Sequence, residues 1–223
     1  MSALARYFLH EGRKVAGYDR TPTPLTHALE QEGAEVCYED EVENIPVEFR
    51  DPATTMVVFT PAVPSDHPQM QFFREGGFLI EKRSQMLGHL SEGKYVMAVA
   101  GTHGKTTTST LIAWLNQSVG AGGNAFLGGI SKNFESNLVL GEGDRLAVEA
   151  DEFDRSFLRL KPDVAVITSV AADPLDIYGT YEAVVEAFGQ FAALIKQGGA
   201  LVLTQGVDIP LPEGIDIRRY TYD

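Results

Sequence analysis

The chain has 223 residues, enough for one large domain or two modest ones, and its composition is 44% hydrophobic and 22% charged. The formal net charge of -13 excludes non-specific binding to nucleic acid or acidic membranes, because a polyanion is repelled at long range. The sequence shows no membrane-spanning run, no signal-peptide core and only one cysteine, Cys37, so we expect a cytoplasmic protein without an internal disulfide.

The first part of the sequence alternates predicted helices with short predicted strands. Helices are predicted over residues 2–11, 24–33, 69–75 and 83–90, and strands over residues 14–19, 34–38, 55–60 and 78–80. Such alternation is typical of an open parallel sheet covered by helices. We therefore expect a Rossmann-like domain over residues 1–93.

The polar segment SEGK, residues 91–94, separates this series from a fresh buried strand, which places the predicted domain boundary there. Strands are predicted over residues 95–100, 145–149, 164–168 and 200–204, and helices over residues 105–119 and 181–196. The predicted fold class is α/β, with a Rossmann-like open parallel sheet followed by a phosphate-loop α/β domain over residues 94–223.

A glycine-rich loop between a buried strand and a helix carries the clearest chemical signal. It reads AGTHGKTTT over residues 100–108, one glycine short of the common G-x-x-x-x-G-K-[ST] pattern. Glycines let the backbone approach phosphates, Lys105 suits the β and γ oxygens, and the Thr106 hydroxyl suits Mg²⁺. An ordinary glycine-rich turn is the alternative, but it gives little reason for Gly-Lys-Thr-Thr. The predicted ATP-binding residues are Gly101, Thr102, His103, Gly104, Lys105, Thr106 and Thr107.

The acidic segment VEADEFDRSF, residues 148–157, places Glu149 at the end of a predicted strand. Open α/β sheets present ligand groups at such strand ends, so Glu149 is predicted to hold Mg²⁺ together with Thr106. Lys105 and Glu149 are the predicted catalytic residues. For Asp151, Glu152 and Asp154 two interpretations stay open, a solvated charged surface and a role in the site.

Four segments in this order resemble the Mur ligases of peptidoglycan synthesis: GTHGKTTT, FLGGI, EADEFDRSF and ADPLDIY. The resemblance covers nearly the whole chain. It implies an ATP- and Mg²⁺-dependent amide ligase, in which ATP phosphorylates a substrate carboxylate and an amine attacks the acyl phosphate. The segments are most similar to the members that join L-alanine to UDP-N-acetylmuramate, which implies these two small molecules as substrates.

The resemblance also implies substrate-binding roles in the first domain. Asp19 corresponds to a position near the nucleoside, Thr60 to a loop that lines the substrate, and Arg83 to a family segment like RSQML. His103, inside the phosphate loop, is implied as a contact for substrate or phosphate. Structural roles fit as well, since Asp19 suits a turn cap and Arg83 suits a helix start.

Three departures from the family pattern shape further expectations. In the family, a glycine-rich nucleotide-sugar loop directly precedes the segment that corresponds to MSALA, and a third domain follows the ATP-binding domain. This sequence starts at MSALA and stops at Asp223, and it contains neither part. We therefore expect this chain to be a fragment with little turnover of its own. In addition, Asp173-Pro174 stands where the family has Asp-His, which implies a second metal site without its imidazole.

Other functions stay open at this level. A recycling ligase that adds a tripeptide to the same nucleotide sugar shares the phosphate loop and the acidic segment. A nucleotide-binding module without turnover is the alternative from another class. A GTP switch is disfavoured, because the sequence has no Asn-Lys-x-Asp segment for reading guanine.

Overall fold

The computed structural model describes residues 1–171 and 178–221 and, within the described helix at 153–159, leaves the Asp154 side chain aside. The chain divides into two compact units, Met1–Met86 and Leu87–Asp223. The boundary predicted between residues 93 and 94 stays a prediction. Among the described residues, every helix is too short or too polar to cross the apolar core of a bilayer.

The first unit alternates helices and strands, as the sequence predicts. Its elements are α1 (Ser2–His10), β1 (Ala16–Tyr18), α2 (Pro24–Gln31), β2 (Glu35–Cys37), β3 (Met56–Phe59), α3 (Pro68–Glu75), β4 (Leu79–Lys82) and α4 (Arg83–Ser91), which continues into the second unit. The strands form two parallel pairs, β1 with β2 and β3 with β4. The start of α2 is a capping box, in which Thr26 N donates to Thr23 Oγ1 at 3.2 Å and Thr23 N donates to Thr26 Oγ1 at 2.9 Å.

The second unit is built on one larger sheet. Its elements are β5 (Tyr95–Ala100), α5 (Lys105–Ser118), β6 (Asn124–Ser131), β7 (Ser136–Val139), β8 (Arg145–Glu149), β9 (Val164–Ile167), α6 (Tyr181–Ala192), β10 (Ala200–Thr204) and β11 (Asp216–Tyr220). The strand order is β11-β10-β9-β5-β8-β6-β7, parallel except for the antiparallel pair of β6 and β7. The strands β9, β5 and β8 are neighbours in the middle of this order, and their carboxyl ends therefore lie side by side at the same end of the sheet. The predicted α/β class with parallel strands is confirmed.

The core of the second unit explains why its strands read as continuous apolar runs. Val96, Ala98 and Val99 of β5 are fully buried, as expected for a central strand covered on both faces. Phe157 stacks on Phe191 with ring centroids 5.0 Å apart and so joins α6 to the 3₁₀ helix at 153–159. This packing fixes the segment that follows β8.

Several elements differ from the predictions, each for a physical reason. Strands β6 and β7 were not predicted, because paired glycines interrupt the apolar pattern of NAFLGGIS. Strand β11 was not predicted either, because it is a mostly exposed edge strand with the polar sequence DIRRY. Helix α6 ends at Ala192 and not at residue 196, because the N–H groups of Leu194 and Ile195 donate to the third carbonyl back and tighten the chain into a turn.

Candidate active site

The glycine-rich loop of residues 101–104 joins the central strand β5 to the start of α5. Gly101 has a φ of 138° and Gly104 a φ of 81°, both in the left-handed region that favours glycine. A Cβ atom on Gly101 would lie only 2.1 Å from Thr168 Oγ1. The chain can therefore take this tight path only with glycine at the first loop position.

The start of α5 presents backbone donors beside the loop. Gly104 is the N-cap, and within the described residues no side chain caps it. The first N–H groups of a helix have no carbonyl partner inside the helix, and here they belong to Lys105, Thr106 and Thr107. The partial positive charge of a helix start also favours anions. The geometry therefore suits a phosphate group at this position.

Two residues after β9 hold the loop from its side. Thr102 N donates to Ser169 O at 3.1 Å, and His103 N donates to Ser169 Oγ at 2.9 Å. Thr168 Oγ1 lies within hydrogen-bond reach of the carbonyl oxygens of Ala100 and His103. Sequence reasoning did not single out Thr168 or Ser169, although their position after a strand in the middle of the sheet was an available signal.

Lys105 meets three acceptors, one for each N–H group of its ammonium. Its Nζ lies 2.7 Å from Gly101 O, 3.0 Å from Glu152 Oε1 and 2.9 Å from Glu152 Oε2. The ion pair is largely enclosed, since the Lys105 side chain is 15% exposed and the Glu152 side chain 10%. The sequence left the role of Glu152 open, and the structure places it in the site. The catalytic role of Lys105 stays a prediction.

Glu149 ends β8 and faces the first turn of α5. Its Oε2 accepts hydrogen bonds from Thr106 Oγ1 at 2.7 Å and from Gly128 N at 2.9 Å. A Cβ atom on Gly128 would lie 2.4 Å from each carboxylate oxygen. The glycine of the FLGGI segment therefore provides the space that the carboxylate occupies, a function that the sequence did not reveal.

The pair of Thr106 and Glu149 offers the oxygen ligands that Mg²⁺ prefers. In residues 1–171 and 178–221 there is no group of three or more His, Cys, Asp or Glu side chains placed to hold a metal ion. A Mg²⁺ that accompanies a nucleotide needs only one or two protein ligands besides phosphate and water. The two residues therefore fit such an ion.

Pro174, where the resemblance implies a lost imidazole ligand, lies outside the described residues.

Three predicted substrate residues follow strands of the first unit: Asp19 follows β1, Thr60 follows β3 and Arg83 follows β4. Asp19 and Arg83 both lie near the Met1 amino group, whose pKa falls to about 6 through burial and the Arg83 charge, against the opposing effect of Asp19. Asp19 Oδ1 also accepts from Thr21 N at 3.2 Å, so the turn-cap role applies too. Their substrate roles stay predictions.

Two family models match the chain over adjacent segments. The model described as "Mur ligase family, catalytic domain" matches residues 1–95, and the model described as "Mur ligase middle domain" matches residues 99–210. These matches cover both units and include the glycine-rich loop and the acidic segment.

Curated relatives are similar over the full length of this chain. A UDP-N-acetylmuramate–L-alanine ligase of Phocaeicola vulgatus is 53% identical over 223 residues, which are 100% of this chain and 49% of that protein. A protein of the same name from Porphyromonas gingivalis is 49% identical over 223 residues, again 100% of this chain and 49% of that protein. The chain thus spans about half the length of the curated relatives it matches.

Solved structures share the fold. The UDP-N-acetylmuramate-alanine ligase MurC of Thermotoga maritima superposes with a TM-score of 0.81 at 28% identity, over 92% of this chain and 46% of that chain. The UDP-N-acetylmuramate:L-alanyl-gamma-D-glutamyl-meso-diaminopimelate ligase of Neisseria meningitidis reaches a TM-score of 0.85 at 22% identity, over 97% of this chain and 74% of that chain. At that identity the second likeness shows the fold alone.

Proposed function

Because the chain belongs to the Mur ligase family, we propose that it provides the nucleotide-sugar-binding and ATP-binding parts of a UDP-N-acetylmuramate–L-alanine ligase. Such an enzyme forms an amide between the substrate carboxylate and the amine of L-alanine through an acyl phosphate. The observation that carries the proposal is the arrangement of Lys105 and Thr106 against Glu152 and Glu149, in a chain whose curated relatives bear this name.

The chain's own residues would bind and orient the nucleotide. The backbone N–H groups at the start of α5 and the Lys105 ammonium would bind the phosphate oxygens, while Thr106 and Glu149 would hold Mg²⁺. Bound ATP with Mg²⁺ supplies the phosphoryl group and neutralises part of its charge. Positioning and electrostatic stabilisation are the main contributions that a protein makes to phosphoryl transfer.

Local binding devices are necessary because the chain carries a formal net charge of -13. The field of the whole protein repels a triphosphate at long range, so affinity must come from short-range contacts that salt screens less. The loop concentrates such contacts within a few residues. This favours specific nucleotide binding over non-specific attraction of anions, and it agrees with a protein that binds neither nucleic acid nor membranes.

The remaining predicted residues complete the proposal. Asp19, Thr60 and Arg83 are assigned to UDP-N-acetylmuramate, since they follow strands of the first unit where open α/β sheets bind ligands. His103 is assigned to the substrate or the phosphate, because it lies exposed in the loop. The cytoplasm is the proposed compartment, since ATP and nucleotide sugars are available there.

The comparisons favour the proposal that the added amine is L-alanine over the proposal that it is a tripeptide. The curated relatives named as L-alanine ligases are 43–53% identical to this chain, whereas the solved murein peptide ligases are 21–22% identical and support the fold alone. The recycling ligase is therefore the weaker alternative.

A chimera tests this function. Residues 1–223 replace the matching 49% of the Phocaeicola vulgatus ligase, and phosphate release is followed with UDP-N-acetylmuramate, L-alanine and ATP. The expected result is release that requires all three substrates and is lost with Lys105→Ala. A folded chimera that binds ATP but releases no phosphate would contradict the ligase function and leave nucleotide binding intact.

A further inference from the structure

The Lys105 ammonium is fully engaged by the protein itself. Its three acceptors are one loop carbonyl, Gly101 O, and both carboxylate oxygens of Glu152. An ammonium has three N–H groups, so a phosphate oxygen can be bound only if one of these contacts is given up. Gly101 O belongs to the loop backbone, whereas the Glu152 carboxylate is carried by rotatable bonds. The contact with Glu152 is therefore the one that a phosphate would replace.

The backbone of Glu152 is held in place by two hydrogen bonds. Its carbonyl oxygen accepts from the Tyr178 hydroxyl at 2.6 Å and from Arg155 N at 3.0 Å. The Arg155 guanidinium lies 5.6 Å from the centroid of the Tyr178 ring, over its face. These contacts hold the backbone of Glu152, so a change of side-chain rotamer alone would separate the carboxylate from Lys105.

Electrostatics makes the two anions competitors. The Glu152 side chain is 10% exposed, and its carboxylate oxygens lie within 3.0 Å of Lys105 Nζ. A triphosphate brings several further negative charges to the same ammonium. Like charges that close repel strongly where water is scarce. A buried lysine without a counter-charge lowers the stability of the folded chain. The Glu152 carboxylate supplies that counter-charge while no nucleotide is bound.

We infer that Glu152 is a positioning residue that holds Lys105 at the loop before nucleotide binds and releases it to the triphosphate by rotating away. The inference rests on the proposed nucleotide binding and adds a step to it. Nucleotide binding is an exchange of one anion for another, and Glu152 sets the affinity by competing for the lysine. A residue that served only the fold would affect stability and leave this affinity unchanged.

The test compares Glu152→Gln with the wild-type chain by isothermal titration of ATP·Mg²⁺ and of inorganic triphosphate. Glutamine keeps the size and removes the charge, so the dissociation constant for both probes is expected to fall about tenfold, the effect of losing one charge-assisted competitor. Glu186→Gln, an exposed carboxylate on α6, makes the same charge change and is expected to alter affinity less than twofold. Glu152→Asp, in case the glutamine variant folds poorly, keeps a shorter carboxylate and is expected to tighten binding about threefold.

The outcomes separate the inference from the function on which it rests. Unchanged or weaker binding by Glu152→Gln, while the wild type binds, overturns the competition and leaves nucleotide binding in place. If Glu152→Gln weakens nucleotide binding only when Mg²⁺ is present, the competition is overturned and Glu152 has a metal-binding role. Absence of binding by the folded wild-type chain overturns both the nucleotide site and this inference.

Discussion

A Cβ atom on Gly128 would lie 2.4 Å from each oxygen of the Glu149 carboxylate, so the acidic side chain occupies space that any larger residue at 128 would take. The two are also hydrogen-bonded, with Gly128 N donating to Glu149 Oε2 at 2.9 Å. The glycine therefore fixes where the carboxylate stands relative to Thr106, which donates to the same oxygen.

Gly128→Ala is expected to displace the Glu149 carboxylate and to weaken Mg²⁺-dependent nucleotide binding by about tenfold or more, the usual cost of disturbing a group that orients a metal ligand. Titrating ATP with and without Mg²⁺ measures the effect. The neighbour provides the control, because among the residues that the structure describes a Cβ on Gly129 would meet only Thr106 Cγ2, at 3.9 Å. Equal effects of Gly128→Ala and Gly129→Ala would count against this account of the carboxylate.

Thr106→Val is expected to remove the hydroxyl that donates to Glu149 at 2.7 Å, at almost constant volume. The Mg²⁺-dependent part of ATP affinity should fall by at least about tenfold, because an oxygen ligand is lost. Thr106→Ser retains the hydroxyl and should bind within a few-fold of the wild type. Titration of Mg²⁺ at fixed ATP distinguishes them, and a valine variant with normal Mg²⁺ dependence would remove Thr106 from the metal site.

Gly101→Ala is expected to lower the free energy of unfolding by about 1–3 kcal/mol, because its Cβ would overlap Thr168 Oγ1 in a tightly packed region. Gly206→Ala separates this clash from backbone strain, since Gly206 also has a positive φ, of 87°, but no atom of residues 1–171 or 178–221 lies within 4 Å of its Cβ position. Urea denaturation followed by circular dichroism compares the two. Similar losses would show that strain alone, and not the contact with Thr168, fixes this glycine.

Asp163→Ala is expected to destabilise the second unit at the opposite end of β5. Asp163 Oδ2 accepts from Val96 N at 2.7 Å and from Lys196 Nζ at 2.8 Å. Losing an acceptor of a charge-assisted hydrogen bond should lower the free energy of unfolding by about 1.5–3 kcal/mol. Lys196→Met removes the partly exposed partner and should cost less than about 1 kcal/mol. The reverse order, measured by urea denaturation, would contradict this ranking.

Much of the fold could be predicted because it depends on local patterns. The strand at Tyr95–Ala100 and the apolar centre of the strand Arg145–Glu149 consist of consecutive apolar residues, and both strands have the predicted bounds. The glycine-rich loop could be located because glycine and Lys-Thr are unusual between a strand and a helix. The β6–β7 hairpin was missed because Gly128 and Gly129 interrupt its apolar pattern, and Gly128 is explained by its contact with Glu149 and not by the strand.

The parts of the site that were missed depend on residues far apart in the chain. Ser169 reaches His103 across 66 positions, and Glu152 reaches Lys105 across 47. No periodicity links such residues, and an acidic run like that at 151–154 is most often solvated. Only the parallel pairing of β5 with β8 and β9 brings these segments to one edge, and this pairing is a property of the tertiary fold.

The most direct measurement is isothermal titration of ATP·Mg²⁺ into this chain and into its Lys105→Ala variant, with Lys161→Ala as a matched control, since Lys161 is exposed and follows the 3₁₀ helix at 153–159. We predict saturable binding by the wild type and by Lys161→Ala, and none by Lys105→Ala, whose circular dichroism should match that of the wild type. Equal ATP affinity in the wild type and in Lys105→Ala would contradict the assignment of residues 101–107 as the nucleotide site.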